Sequence, residues 1–133
     1  MSRHCLAIAL FLALGGCQSE IGTPLDTAER FLDEQYVHMN LARAKDYCIG
    51  VARQKIEQME HLIGDQKIDE TTRLPRVSYA LRETKEEGGD RVLFVFEGTI
   101  RVEDADSFTR RWLVNTRKEA DGQWRVSNFQ EFE

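Results

Sequence analysis

The sequence predicts an α+β domain in which two or three amino-terminal helices pack on a curved four-stranded antiparallel sheet. Apolar residues recur every three or four positions as far as Gly64, and every second position from Arg76 onward. All the helical segments precede all the strands, so short hairpins join the strands and the helices cover one face of the sheet. We assign residues 23–133 to this single domain.

The first helix has the strongest start signal in the chain. Thr23 is a good N-cap, Pro24 occupies the first helical position and Asp26 follows three residues after the cap. One apolar stripe follows, made of Leu25, Ala28, Leu32, Tyr36 and Met39. Asn40 can cap the next helical stretch, and Gly50 can divide that stretch into two helices.

Four runs of alternating apolar residues predict the strands. They are Val77-Tyr79-Leu81, Val92-Phe94-Phe96, Phe108-Trp112-Val114 and Trp124-Val126-Phe132. Acidic and glycine-containing segments separate the last three runs from the runs before them, as is typical of hairpin turns.

The first twenty residues resemble a bacterial lipoprotein signal. A basic start at Arg3 precedes an apolar run that is too short to span a bilayer, and Leu14-Gly15-Gly16-Cys17 follows. The resemblance implies that residues 1–16 are removed and that Cys17 is acylated, which makes the membrane a partner. An ordinary secretory signal and a buried hydrophobic helix are the alternatives.

Residues 17–22 would then form a short tether. The six steps from Cys17 to Thr23 reach at most about 20 Å, so the domain would stay close to its membrane. The residue after the cysteine is Gln18 and not aspartate. Under the sorting rule of enteric lipoproteins, this implies the periplasmic leaflet of the outer membrane.

Charge and cysteine content exclude several classes of function. Without residues 1–16 the chain keeps 17 basic and 23 acidic residues, a net charge of −6, which disfavours nucleic acid and anionic lipid headgroups as partners. Cys48 has no partner for an internal disulfide and is expected to be a buried, inert thiol. We find no sequence motif for a catalytic site, a metal site or a cofactor.

The strand registers suggest one polar site. Pairing Val114 with Val126 places Arg110 opposite Gln130 and Trp112 opposite Asn128, and pairing Phe96 with Trp112 places Gly98 opposite Arg110. The candidate ligand-binding residues are Arg110, Asn128, Gln130 and Gly98. A bulge at Gly98, or a strand end beyond the helices, would instead leave the three polar side chains in solvent. The opposite face is expected to carry solvated charge pairs, with Glu97, Arg101, Arg111, Arg117, Arg125 and Glu131.

Helices followed by a sheet that ends in Gly122-Gln123-Trp124-Arg125-Val126 resemble the nuclear-transport-factor-2-like superfamily of cone-shaped, cystatin-like domains. Members often have a strand between the helices, which this sequence does not show. The resemblance implies a pocket between sheet and helices, used in different members for isomerase or dehydratase chemistry, ligand binding or assembly. We expect a noncatalytic envelope lipoprotein that binds or assembles an envelope protein, then a carrier of a small apolar ligand, then an enzyme.

Overall fold

The computed structural model describes residues 22–64 and 74–133. The predicted signal peptide, the acylation site Cys17 and most of the tether lie outside these ranges. The helices are α1 (Pro24–Leu32), which continues as a π-helical turn (Asp33–Val37), α2 (Leu41–Asp46) and α3 (Gly50–Ile63). The strands are β1 (Arg76–Glu86), β2 (Arg91–Arg101), β3 (Phe108–Lys118) and β4 (Trp124–Phe132).

The helix starts follow the sequence signals. The Thr23 hydroxyl accepts a hydrogen bond from the Asp26 amide at 3.1 Å, and the Asn40 side chain accepts one from the Arg43 amide at 3.1 Å. Gly50 has a φ of +54° at the start of α3, a left-handed conformation that glycine adopts without a Cβ penalty. Both predicted caps and the predicted division at Gly50 are confirmed.

The four strands form one curved, unclosed antiparallel sheet in the order β1-β2-β3-β4, which confirms the predicted fold class. A short segment between α2 and α3 lies along the free edge of β4. The Ile49 amide donates to the Val126 carbonyl at 2.9 Å, and the Val126 amide donates to the Tyr47 carbonyl at 2.7 Å. This parallel bridge is the strand-like element between the helices that the sequence pattern did not reveal.

Helices α1 and α3 both run along β4 and close the core over the inner face of the sheet. The Thr27 hydroxyl donates to the Trp124 carbonyl at 3.4 Å, and the rings of Phe31 and Phe129 lie 5.0 Å apart. Further along, Gln35 on the π-helical turn contacts Met59 of α3.

The domain therefore has two distinct ends. The Gly22 end comprises Gly22, the start of β4 and the hairpins 87–90 and 119–123. The groove end comprises the π-helical turn, the end of α3 and the strand ends that lie farthest from those two hairpins. The fourteen residues of α1 and the π-helical turn separate the two ends by roughly 20 Å.

Candidate functional site

Aromatic rings fill the inner face of the sheet at the groove end. Trp112 is 1% exposed, and its ring lies over Gly98 of the neighbouring strand. A Cβ atom at position 98 would come within 2.1 Å of that ring, so only glycine allows this packing. Tyr36 stacks on the indole ring, with ring centroids 4.4 Å apart. The side chain of Trp112 thus occupies the space over Gly98, on the inner face where the resemblance implied a pocket.

A small polar cluster lies beside this aromatic stack. The Arg110 guanidinium is 3.5 Å from the Glu131 carboxylate and 3.6 Å from that of Glu133, and it lies 4.7 Å from the centre of the Phe108 ring. Burial raises the pKa of the Tyr36 hydroxyl above its ordinary value, and the nearby Glu131 carboxylate raises it further. Tyr36 therefore stays protonated and can donate a hydrogen bond to the carboxylate.

The predicted β2–β3 register at Gly98 and Arg110 is confirmed, whereas the predicted β3–β4 register is wrong. Gly98 pairs with Arg110 as predicted. The predicted pairing of Val114 with Val126 is wrong, because Val114 pairs with Phe129. The cause is a bulge next to Thr116 in the β3–β4 ladder, where the register shifts.

The bulge separates Asn128 and Gln130 from Arg110. Asn128 lies opposite Asn115, and its side chain accepts a hydrogen bond from the Lys55 ammonium at 2.8 Å. Gln130 lies opposite Leu113 and is exposed. The predicted polar island of three residues is therefore not formed.

Glu131 is the residue that sequence reasoning missed. It was expected on the solvated face, but it pairs with Trp112 and lies beside Arg110. The spacing of apolar residues in β4 does indicate the changed register. The buried residues Val126 and Phe129 are three positions apart and not two, which is the spacing that a bulge produces in a strand.

An apolar groove opens between the π-helical turn and the end of α3, with a volume of about 290 Å³. Its lining residues are Gln35, Met39, Leu41, Met59, Leu62 and Ile63. Leu62 is 83% exposed. The Gln35 side chain is buried, its amide nitrogen contacts the Met59 sulfur at 3.3 Å, and its oxygen has no hydrogen-bond partner among the described residues. Met39 adopts a positive φ of +53°, which is uncommon for a residue with a side chain.

Groups with potential chemical reactivity are few in the described ranges. Burial raises the pKa of the Cys48 thiol to about 12, and the thiol donates to the Ala44 carbonyl, so it is a poor nucleophile at neutral pH. No group of three or more histidine, cysteine, aspartate or glutamate side chains within residues 22–64 and 74–133 could hold a metal ion. None of the helices described is both long and apolar enough to cross a membrane.

No protein-family model matches the chain, and no curated protein matches it. Solved structures resemble it in fold. One from Thiobacillus denitrificans, described as a calcium/calmodulin-dependent protein kinase type II association domain, gives a TM-score of 0.62 at 14% identity over 86% of this chain and 97% of that one. A ketosteroid isomerase-like protein from Erwinia carotovora atroseptica gives 0.58 at 11% identity, over 81% and 91% of the two chains.

A third structure is an NTF-2 like protein of unknown function from Shewanella oneidensis, with a TM-score of 0.56 at 13% identity over 84% of this chain and 100% of that one. The fold is nuclear-transport-factor-2-like. Proteins that share a nuclear-transport-factor-2-like fold at such low identity need not share an activity. The function of this chain therefore depends on its own surfaces and on the side chains that occupy the space between its sheet and its helices.

Proposed function

We propose that this chain is a lipid-anchored protein of the bacterial envelope with a noncatalytic role, in which the groove end binds a partner protein. The Leu14-Gly15-Gly16-Cys17 sequence supports the anchor, with Cys17 as the acylated residue and the periplasmic leaflet of the outer membrane as the location. The domain is the part that would meet the partner.

The binding role rests on two observations: the apolar groove is exposed, and the space between the sheet and the helices is occupied by side chains. Trp112 and Tyr36 occupy the inner face where a small-molecule pocket was expected. The exposed apolar surface lies instead on the outside, around Leu62. Exposed apolar surface is costly in water, and a contiguous patch of it marks an interaction site.

The chemistry of the groove suits a protein side chain. Met39 and Met59 are flexible and polarizable, so they can adapt to an inserted leucine or aromatic ring. The unpartnered Gln35 oxygen is buried, so a partner could reach it and donate a hydrogen bond only if the Met59 side chain beside Gln35 moved. The groove also lies at the end of the domain farthest from Gly22, so an anchored domain would present it away from the bilayer.

Site-specific photocrosslinking in intact bacteria tests the binding role. A photoreactive residue at position 62 should give a discrete crosslinked product, because this position lines the groove. The same residue at position 51 is the matched control, because Val51 is 50% exposed on the same helix but lies outside the groove. Equal crosslinking at both positions, or none at position 62, would contradict a partner-binding groove.

Mass spectrometry tests the anchor independently. The chain extracted from bacterial membranes should begin at Cys17 and carry the added mass of acyl chains. The Cys17→Ser variant should lose that mass. A chain that retains residues 1–16, or that has an unmodified Cys17, would contradict the anchor while leaving the crosslinking result unaffected.

Carriage of a small apolar ligand is a second candidate. One observation favours it: the buried indole nitrogen of Trp112 has no hydrogen-bond partner among the described residues. A ligand would have to displace that ring from Gly98 and place its polar end near Arg110, while Asn128 and Gln130 would take part only if the β3–β4 register changed. A bound small molecule in native mass spectra of the whole chain, lost in Arg110→Ala, would support carriage over partner binding.

A further inference from the structure

Three arginines lie in register across the outer face of the sheet at the Gly22 end. Arg91 pairs with Arg117, and Arg117 pairs with Arg125 on the next strand. We refer to these three residues as the arginine row. Like charges directly opposite one another on neighbouring strands destabilise a sheet. The fold therefore gains no stability from the row.

Acidic residues flank the row in the adjoining hairpins, Glu87 and Asp90 in one and Glu119 and Asp121 in the other, but none of them forms a salt bridge with it among the described residues. Within residues 22–64 and 74–133, no salt bridge involves Arg91 or Arg117. Arg125 donates to the Trp124 carbonyl at 3.0 Å and to the Gln123 side chain, both of which are neutral. The row is thus a local concentration of positive charge on a chain whose net charge is −5.

A recess of about 370 Å³ lies beside Arg91 and Arg117. Asn115 and Ser127 also line it and provide neutral polar groups. Glu87 is the acid in its lining, and the Lys85 ammonium lies 3.9 Å from that carboxylate and offsets its charge. Two guanidinium groups with adjacent amide and hydroxyl groups match the donors that bind phosphate oxygens.

The position of the row links it to the tether. Gly22, where the described chain begins, lies at the same end of the domain as Trp124 and Arg125, because the Thr27 side chain contacts the Trp124 carbonyl. The tether can extend at most about 20 Å from Thr23 to Cys17. An acylated Cys17 would therefore hold the arginine row close to the headgroups of its own bilayer.

We propose that the arginine row docks the domain onto anionic phosphate headgroups of the membrane that holds the anchor. This proposal rests on the proposed lipid anchor, which supplies the proximity. Electrostatic interactions in physiological salt extend over about 8 Å, so the headgroups would respond to the row together with the hairpin acids beside it, and less to charges elsewhere on the domain. Docking at the Gly22 end directs the groove, about 20 Å away along α1, toward the envelope space.

The test uses the full chain recovered from bacterial membranes and reconstituted into vesicles. One set of vesicles contains phosphatidylcholine alone, and the other contains phosphatidylcholine with phosphatidylglycerol. A lipid with a spin-labelled headgroup quenches tryptophan fluorescence at close range. Trp124 is half-buried against the core at the Gly22 end and directly precedes Arg125 in β4, whereas Trp112 is 1% exposed at the other end of the domain. We expect stronger quenching on the anionic vesicles, and we expect this difference to disappear near 1 M salt, where the screening length is about 3 Å.

The Arg91→Gln/Arg117→Gln variant should lose the docked state. Each cation near an anionic surface contributes about a fivefold preference, so the double change should lower the ratio of docked to undocked domain roughly 25-fold. Arg76→Gln/Arg101→Gln is the matched control, because these two arginines also lie directly opposite one another on the sheet but at the groove end. This control variant should be quenched like the unmodified chain. Circular dichroism confirms that both variants are folded.

Two results would overturn the docking proposal. One is equal quenching on both kinds of vesicle, and the other is an equal loss of quenching in the control variant. The anchor is judged separately, by the intact mass of the chain and by its resistance to a carbonate wash. An acylated chain that stays attached but shows no lipid-dependent quenching would refute docking alone. A chain with an unmodified Cys17 would refute the anchor, and its quenching with added vesicles would still report on the row.

Discussion

The two ends of this domain expose opposite kinds of surface. The groove end exposes apolar side chains around Leu62 beside a tightly packed stack of Tyr36 and Trp112. The Gly22 end exposes Arg91 and Arg117 opposite each other without an ion pair among the described residues. Neither an exposed leucine nor an unpaired row of arginines stabilises an isolated domain. The difference suggests that the core provides stability and that each end suits a different partner, one apolar and one anionic.

The largest expected difference between the ends concerns the two tryptophans. Trp112→Ala should lower the free energy of unfolding by about 3–5 kcal/mol, because it removes a fully buried ring that stacks with Tyr36 and lies over Gly98. Trp124→Ala is the control at the Gly22 end and should cost less, since Trp124 is only partly buried. Urea unfolding followed by circular dichroism measures both. Equal losses would show that the groove end is not the better-packed end.

Gly98→Ala should destabilise the groove end by about 1–3 kcal/mol, because the added methyl group meets the Trp112 ring at 2.1 Å. The companion variant Gly98→Ala/Trp112→Leu tests the cause. If overpacking is responsible, the effect of the alanine should shrink once the indole is absent. A glycine change that costs the same in both backgrounds would point to a backbone effect.

The two confirmed helix caps offer a smaller comparison. Thr23→Ala at the Gly22 end and Asn40→Ala at the groove end each remove an oxygen that accepts a backbone amide hydrogen bond. Each should cost about 1 kcal/mol in thermal or urea unfolding. Thr23→Ser and Asn40→Asp keep an acceptor and should retain most of the stability. A loss that these conservative changes do not restore would mean that the cap hydrogen bonds are not responsible.

Tyrosine ionisation should have the smallest effect on stability at neutral pH and a clear effect at alkaline pH. Burial raises the folded-state pKa of Tyr36, and burial with the Asp33 hydrogen bond raises that of Tyr79. A raised pKa means that the folded chain holds the proton more tightly, so stability is unaffected below pH 10 and falls as the pH rises above it. Absorbance at 295 nm should show both residues ionising only as the chain unfolds. The Tyr36→Phe variant should lose part of this alkaline dependence, and ionisation of Tyr36 in the folded chain would contradict its burial.

Much of the fold could be predicted because its signals are local. Thr23, Pro24 and Asn40 specify helix starts through their own side chains, and the alternation around Phe94 and Trp112 specifies which face of each strand is buried. The β2–β3 register followed from matching the two apolar runs. The anchor at Cys17 also follows from a local motif, and it remains a prediction because it lies outside the described residues.

The tertiary structure decided the features that depend on distant parts of the chain. The bulge next to Thr116 changed the β3–β4 register, so that Glu131 and not Gln130 lies beside Arg110. The bridge from Cys48 to Val126 placed an extra strand-like segment at the edge of β4. Whether a glycine leaves a cavity or receives an indole ring depends on which side chain the neighbouring strand places over it. The sequence alone determined the helix starts, the strand faces and the fold class, because these depend on local side chains and local periodicity. The β3–β4 register, the side chains packed between sheet and helices, and the contrast between the two ends depend on how segments far apart in the chain pack together.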